Sequence, residues 1–452
     1  MRREVVISGI GTICALGLGK DEFWNGLVEG ICALRELQRV DADSMPCRLG
    51  GESAPFEVRD FLPKHYRKAT KVMARDTALA VTAASLAVAD AGLVTRAEGA
   101  ENPTLASPRL GCQIGAGLIA AEADELGQAF SKSLDDSGEF SLRAWGTAEA
   151  LDGSGAGDGG MNHLPPLWLL KYLPNMLACH VTILHGAEGP SNTITCAEAS
   201  GLLSIGESMR VIQRGDADAC FSGGAESKLN YMAMTRMDLA GRIAHTSETD
   251  GTRVVRPYSP ESVGGVLGEA GAVLIVEERE HARARGAQAY ARISGFGAAQ
   301  TRSALLPTGV WEPEETNVDR GLVDAIESAL RDAGLSTSDI DAIVPLGLGV
   351  RDLDTREAGA LREVFGPRLG SIPLLTITPN LGNCSAGQGG LMAAAAALAI
   401  RHQALSARIQ SGAVADGLDA GRAPARSAQL GHVLVCAPAL GGQNAALILS
   451  SL

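Results

Sequence analysis

One stretch carries the residue types and spacing for covalent acyl chemistry. From His185 to Ser227 the chain reads HGAEGPSNTITCAEASGLLSIGESMRVIQRGDADACFSGGAES. Gly189–Pro190 marks a turn, and Asn192-Thr193-Ile194-Thr195 suits a short buried strand. Cys196 and Glu198 follow among small residues. Leu202, Leu203, Ile205, Met209 and Ile212 then recur at three- and four-residue spacing, which predicts a helix closed by Gly215. Ala217–Phe221 predicts the next strand, and Gly223-Gly224 lets backbones approach closely. A strand that turns sharply into a buried helix presents one side chain at the helix N-terminus, where orphan N–H groups face it. An acyl-transfer enzyme places its nucleophile there.

The elements that must hold this stretch recur twice along the chain. Val5–Ile13 predicts a strand, Asp21–Glu29 a helix, Thr70–Asp90 a long helix closed by Ala91-Gly92-Leu93, and Arg109–Gly117 a strand entering a Gly-containing turn. His180 and His185 flank a short strand before the central stretch, more in keeping with structural than chemical roles. In the second half, AIESALRDAGL within Asp319–Leu335 echoes AASLAVADAGL at 83–93. Asp341–Gly349 echoes Arg109–Gly117, and Gly382–Ile400 mirrors Thr195–Ile212. A duplication on this scale is architectural. An Arg/Ala-rich linker, Arg279–Gln288, separates the halves, and residues 131–163, with DGSGAGDGG at 152–160, read as a mobile surface loop.

Composition narrows the class. The chain has 452 residues, 46% hydrophobic and 20% charged, so it can bury a large core. A net charge of −13 and no basic cluster argue against nucleic acid. The nine scattered cysteines form no CxxC pair, which predicts a reducing, cytoplasmic compartment. The longest apolar helical run, Gly390–Ile400, is about half a membrane span and reads as buried.

The segment Gly189–Glu226 resembles the active-site segment of β-ketoacyl synthases, the condensing enzymes of fatty-acid and polyketide assembly. That segment runs Gly-Pro-Ser, a short strand, Thr-Ala-Cys-Ala, a helix, then Gly-Asp-Ala-Asp and Gly-Gly-Ala-Glu. The resemblance covers nearly the whole chain outside 131–163, and it implies a helix over Trp168–Asn175 before the active-site strand. It implies an α/β, thiolase-like fold with a duplicated five-layer αβαβα core. The N-terminal half would span 1–279, with its elbow at 195–200, and the C-terminal half 280–452. Acyl chains would arrive on a phosphopantetheine carrier protein, with no metal and no other cofactor.

Aligned without gaps, the family's nucleophilic cysteine falls on Glu198, and Cys196 falls on the threonine two residues earlier. Making Cys196 the nucleophile needs a two-residue gap and a compensating insertion. The family's first histidine falls on Leu346 or Gly347, within Ile343–Gly349, and its second on Asn383. Thr378 takes the position of a lysine. Asn383 can donate a hydrogen bond but cannot shuttle a proton. The family's closing Gly-Phe-Gly-Gly-x-Asn loop, which contributes backbone to the oxyanion hole, corresponds to Ala439-Leu440-Gly441-Gly442-Gln443-Asn444. Leu440 replaces the gating phenylalanine there.

Loss of the cysteine, both histidines and the lysine on an intact scaffold resembles a chain length factor. Such a subunit is the catalytically silent partner of an active synthase in type II polyketide systems. The resemblance implies a heterodimer that is inactive alone, with the acyl chain accommodated at the interface. Glu198 itself has two readings. It is a plug held by helix-terminal N–H groups and by Asn383, or it is a working carboxylate in an independent enzyme that decarboxylates malonyl thioesters or hydrolyses thioesters. Cys196 is the fallback nucleophile in that second reading, also without a base.

Overall fold

The computed structural model describes residues 2–99, 102–146, 159–301 and 317–452. The labelled elements are β1 (Val5–Cys14), α1 (Arg75–Ala91), β2 (Leu110–Ala116), β3 (Ser191–Ile194), α2 (Ser200–Arg214), β4 (Ala219–Ser227) and β5 (Glu269–Glu278) in the first half. The second half holds β6 (Ala291–Gln300), α3 (Arg320–Ala333), β7 (Ala342–Val344), α4 (Arg351–Phe365), α5 (Gln388–His402), β8 (His432–Pro438) and β9 (Gln443–Ser450).

The two halves repeat one strand plan. In the first, β3 and β2 run parallel, β2 and β4 run parallel, and β5 and β1 continue antiparallel. In the second, β7 and β8 run parallel, and β9 and β6 continue antiparallel. The counterpart of β3 is reduced to a parallel bridge between Ile343 and Leu374. Val6 opposite Arg292 and Ile7 opposite Ala291 join the halves into one ten-stranded sheet of order β7-β8-β9-β6-β1-β5-β4-β2-β3, with Gly17–Leu18 paired to β1. Strands β1, β4 and β5 are buried along their whole length, as strands covered on both faces must be.

Helices α2 and α5 fill the space between the two sheet halves and share one apolar cluster with both. Helix α1 covers the outer face of the first half, and α3 and α4 cover that of the second. The five layers are therefore helix, sheet, helix pair, sheet, helix. The central helices cross on glycines: a Cβ on Gly201 would lie 2.7 Å from the Gly390 nitrogen, and one on Gly389 would lie 2.7 Å from the Leu202 nitrogen. Any side chain at either crossing would push the layers apart.

Several elements differ from the sequence expectations. His180 and His185 lie on a helix, Met176–His185, not beside a strand. Its Val-Thr-Ile run has strand character, but Leu177, His180, Val181, Leu184 and His185 are among its buried positions, a helical stripe that includes both histidines while Ile183 faces outward. Helix Trp168–Lys171 stops after one turn because Pro174 disfavours the helical conformation before it. The long helix begins at Arg75, and Lys64–Val72 before it forms 3₁₀ turns. The linker contains a short helix, Arg279–Ala284. Part of the expected mobile loop is built: Leu142–Gly146 is helical, and Phe130, Phe140 and Trp145 pack together. Most of the 152–160 run lies outside the described residues. Among the described residues no helix is long and apolar enough to cross a membrane.

Candidate functional site

The elbow between β3 and α2 is strained at one residue. Ala197 adopts φ 45°, and Ala197–Ala199 form a 3₁₀ turn that runs into α2. In the second half Ser385 adopts φ 47°, and Ser385–Gly387 form the matching turn into α5. A left-handed non-glycine residue costs on the order of 1–3 kcal/mol and persists only where its surroundings over-determine it. Here the duplication sets two such residues back to back where α2 and α5 meet.

Glu198, the residue after the first strained position, is 0% exposed. Its Oε1 accepts a hydrogen bond from Asn383 Nδ2 at 3.0 Å, and its Oε2 accepts one from the Leu440 backbone N–H at 2.9 Å. The donors are therefore a side chain from the other half and the closing turn, not the helix-terminal N–H groups that the sequence suggests. Asn383 is fixed in turn, because its Oδ1 accepts from the Ser385 N–H at 2.9 Å. Its backbone bridges to Val266–Gly268, with N–H to Val266 O and O to the Gly268 N–H, both at 2.8 Å. Three residues singled out in sequence, Glu198, Asn383 and Leu440, thus meet at one buried carboxylate.

The closing turn is held from below. Gly442 adopts φ 83°, and a Cβ there would lie 2.2 Å from the Thr301 carbonyl oxygen, so glycine is required. Asn444, buried, donates through Nδ2 to Gly442 O at 3.0 Å and to Thr301 Oγ1 at 3.0 Å. Gln300 Nε2 donates to Gly441 O at 2.9 Å. The Leu440 N–H, at the position the resemblance gives to the oxyanion hole, is already taken by the chain's own carboxylate.

The segment that the resemblance aligns with the family's first histidine is gripped by two buried acids. Glu357 accepts from the N–H groups of Leu346 and Gly347 at 2.8 and 2.9 Å, and from Tyr258 Oη at 2.8 Å. Asp354 accepts from the N–H groups of Leu348, Gly349 and Tyr258, each at 3.0 Å. Burial pushes Asp354 up to about 8 and Glu357 up to about 7. Of the two expected positions, Leu346 supplies the side chain that faces the neighbouring cavity, while Gly347, at φ 48°, contributes backbone alone. Thr378 does not reach Glu198; its Oγ1 donates to Leu346 O at 2.8 Å.

Cys196 is half-buried, and burial pushes its thiol up. Among the described residues no histidine stands beside it. His180 pairs with Tyr66 Oη and His185 with Thr95 Oγ1, each through Nδ1 at 2.9 Å, and burial pushes His185 down to about 3. His432 pairs with Ser450 Oγ at 2.8 Å.

A second carboxylate stands close by. Glu226 Oε2 accepts from the Ala386 N–H at 2.9 Å, and Glu226 pairs with Lys228. Burial, and less strongly the charge of Glu198, push Glu226 up. Glu198, Glu226, Lys228 and Leu440 line a cavity of about 260 Å³ that reaches Leu118 on the surface. Sequence reasoning passed over Glu226, although it ends the Gly-Gly-Ala-Glu motif, and it passed over the buried Arg242, which no motif marks.

Comparison with known proteins gives the family and the fold. Residues 2–282 match the model for the β-ketoacyl synthase N-terminal domain, and residues 290–411 match that for the β-ketoacyl synthase C-terminal domain. A 3-oxoacyl-[acyl-carrier-protein] synthase 2 from Staphylococcus aureus (strain COL) is 28% identical over 448 residues, covering 99% of this chain and 98% of that protein. A chain of the ishigamide ketosynthase/chain length factor superposes with a TM-score of 0.80 at 24% identity, covering 100% of both chains. A β-ketoacyl synthase from Burkholderia phymatum STM815 superposes with a TM-score of 0.79 at 26% identity, again over 100% of both.

Proposed function

The chain belongs to the β-ketoacyl synthase family, with its thiolase-like fold, and we propose that within it the chain is a non-condensing subunit of the chain length factor kind. In this reading it pairs with an active synthase, receives chains from an acyl carrier protein and shapes the tunnel in which the acyl or polyketide chain grows. The observation that carries the proposal is the occupied site: the two oxygens of Glu198, at the position that the resemblance gives to the nucleophile, take up the donors of Asn383 and Leu440. A thiolate acceptor needs a base and a free oxyanion hole. Among the described residues no histidine reaches Glu198 or Cys196.

Edge strand β3 supports a partner, since Ser191 and Asn192 are exposed and an unpaired strand edge is a template for pairing. Leu118, just after β2, and Ile183, on the helix that packs against β3, are exposed apolar side chains. Coexpression with a cognate Cys/His/His synthase tests the proposal. A one-to-one complex at micromolar concentration is the expected result, and two separately eluting species would count against it.

A second reading has one observation in its favour. Glu198 borders the 260 Å³ cavity that also holds Lys228, so a small thioester could meet a buried carboxylate there. That reading makes the chain an independent malonyl-thioester decarboxylase or thioesterase. Activity of the chain alone would select it.

A further inference from the structure

The helix Met176–His185 packs against α1, β2 and the edge strand β3, and its buried stripe carries two imidazoles. His180 and His185 are each 4% exposed. His180 shares a hydrogen bond through Nδ1 with Tyr66 Oη, on the 3₁₀ turns Lys64–Val72, at 2.9 Å. His185 shares one through Nδ1 with Thr95 Oγ1, on the loop after α1, also at 2.9 Å, and its ring packs on Phe221. The Nε2 atom of each ring is buried without a partner. Two rings on one helix thus tie it to two different surface segments, each through a hydroxyl, and each ring is left one hydrogen bond short.

The surroundings hold nothing that would welcome a second proton on either ring. Beside His180 stand the phenol of Tyr66 and, one residue earlier, the thiol of Cys179. Beside His185 the charge is Arg96, whose side chain packs over Gly186 and which pairs with Glu188. Strand β2 contributes only the buried thiol of Cys112, and β3 carries no titratable group. The acids of α1 are tied elsewhere, Asp76 to the Ser227 N–H and Asp90 to Tyr290 and Lys20. Burial alone therefore pushes both imidazoles down, His185 to about 3. A charged ring donates through both nitrogens, so protonation would reverse both hydroxyl bonds and bury an Nε2–H with no acceptor. Once the helix opens, each ring meets water and charges at its ordinary value of about 6.5. The open form binds protons that the closed form refuses, so falling pH favours opening.

We propose that His180 and His185 make the helix Met176–His185 an acid-sensitive latch, which opens as a unit below neutral pH, releases Tyr66 and Thr95, and frees edge strand β3 of the helix packed against it. Two histidines on one short element make the response steeper than one would, since opening takes up a proton at each. The latch stands apart from the silent-partner reading, because opening is measured on the chain itself. Where a partner pairs with the β3 edge, acid would loosen that face before the core.

The test is hydrogen–deuterium exchange of the full-length chain at pH 7 and pH 5, read peptide by peptide by mass spectrometry and corrected for the intrinsic pH dependence of exchange. Protection over residues 176–185 should fall at least tenfold at pH 5, while the central helices α2 and α5 change less than threefold. The double variant His180→Asn with His185→Asn keeps a polar atom near each Nδ1 position but cannot take up a charge. It should hold the loss over the helix below threefold. If the double variant does not fold, His185→Asn alone is expected to cut the loss at least threefold. Equal protection of the wild-type helix at both pH values would overturn the proposal. So would a loss shared evenly by α2 and α5, or one undiminished in the folded variants.

Discussion

Asn383 Nδ2 donates to Glu198 Oε1 across 3.0 Å, although the two residues stand 185 positions apart in the chain. Asn383 sits just before the strained turn of the second half and Glu198 on the strained turn of the first. The bond therefore spans the seam of the duplication, where α2 and α5 meet. In the proposed reading, it turns the place that the resemblance gives to a nucleophile into a closed, hydrogen-bonded junction.

The junction should be worth stability. Glu198→Ala leaves the Asn383 amide and the Leu440 N–H without their acceptor, at about 1–3 kcal/mol for an orphaned buried donor. Glu198→Gln can keep the Leu440 bond through its carbonyl oxygen but presents an amide NH₂ to Asn383, whose own Oδ1 is held by Ser385. We expect a loss of about 1 kcal/mol for Gln and at least twice that for Ala. Chemical denaturation of the purified chain measures both, and an unchanged midpoint for Ala would refute the junction.

Cys196 should stay unacylated. Its thiol is pushed up by burial and has no base within reach, so the reactive thiolate is scarce at neutral pH. Intact-protein mass spectrometry after incubation with acyl-carrier protein should show no adduct. Stoichiometric acylation at Cys196 would move the elbow nucleophile two residues and undo the gap-free alignment.

Stability should fall as pH rises from 6.5 to 8.5. Burial pushes Asp354 up to about 8, and Asp76 and Glu357 up to about 7. In that window these three are still partly protonated when folded but ionised when unfolded. The folded chain thus binds more protons, and raising the pH costs stability until they ionise. The opposing groups act at lower pH: His185 is pushed down to about 3, and Arg75 and Arg39, against the burial of Glu269, hold that carboxylate down at about 2. Asp76→Asn keeps an oxygen for the Ser227 N–H, which Asp76 Oδ1 now accepts at 3.1 Å, and removes one titration. Melting temperatures against pH should show a shallower fall in that variant; an identical slope would sink the assignment.

The central helix crossing should not tolerate a methyl group. Gly389→Ala places a Cβ 2.7 Å from the Leu202 nitrogen, where backbone rather than a flexible side chain must yield. A loss of about 1–3 kcal/mol is expected, read as a lower unfolding midpoint. A variant as stable as the parent would show that the layers are looser than drawn.

What the sequence disclosed depended on the range of each signal. The elbow was legible because Gly189–Pro190, the small residues after Ile194 and the apolar spacing of α2 are local. The duplication was legible because both halves use the same helix-closing Asp-Ala-Gly-Leu. The helix carrying His180 and His185 was not, since its buried stripe holds two histidines and its outer face an isoleucine, so residue polarity shows no helical period. Glu198 and Asn383 could be placed by resemblance, but Leu440 as a donor to Glu198 could not, because a backbone N–H leaves no mark in residue identity. Arg242 was invisible for a related reason: an isolated arginine in Gly-Arg-Ile looks like any surface cation until the fold buries it.

The most direct measurement compares wild type with Glu198→Gln in the purified one-to-one complex with the cognate synthase. Malonyl decarboxylation and product formation are read per mole of complex. If Glu198 closes a silent site, both rates stay within a few-fold of wild type, since the partner's cysteine and histidines do the chemistry. A loss of tenfold or more at normal complex yield, about 1.4 kcal/mol of transition-state stabilisation, would contradict the account and make Glu198 a working carboxylate.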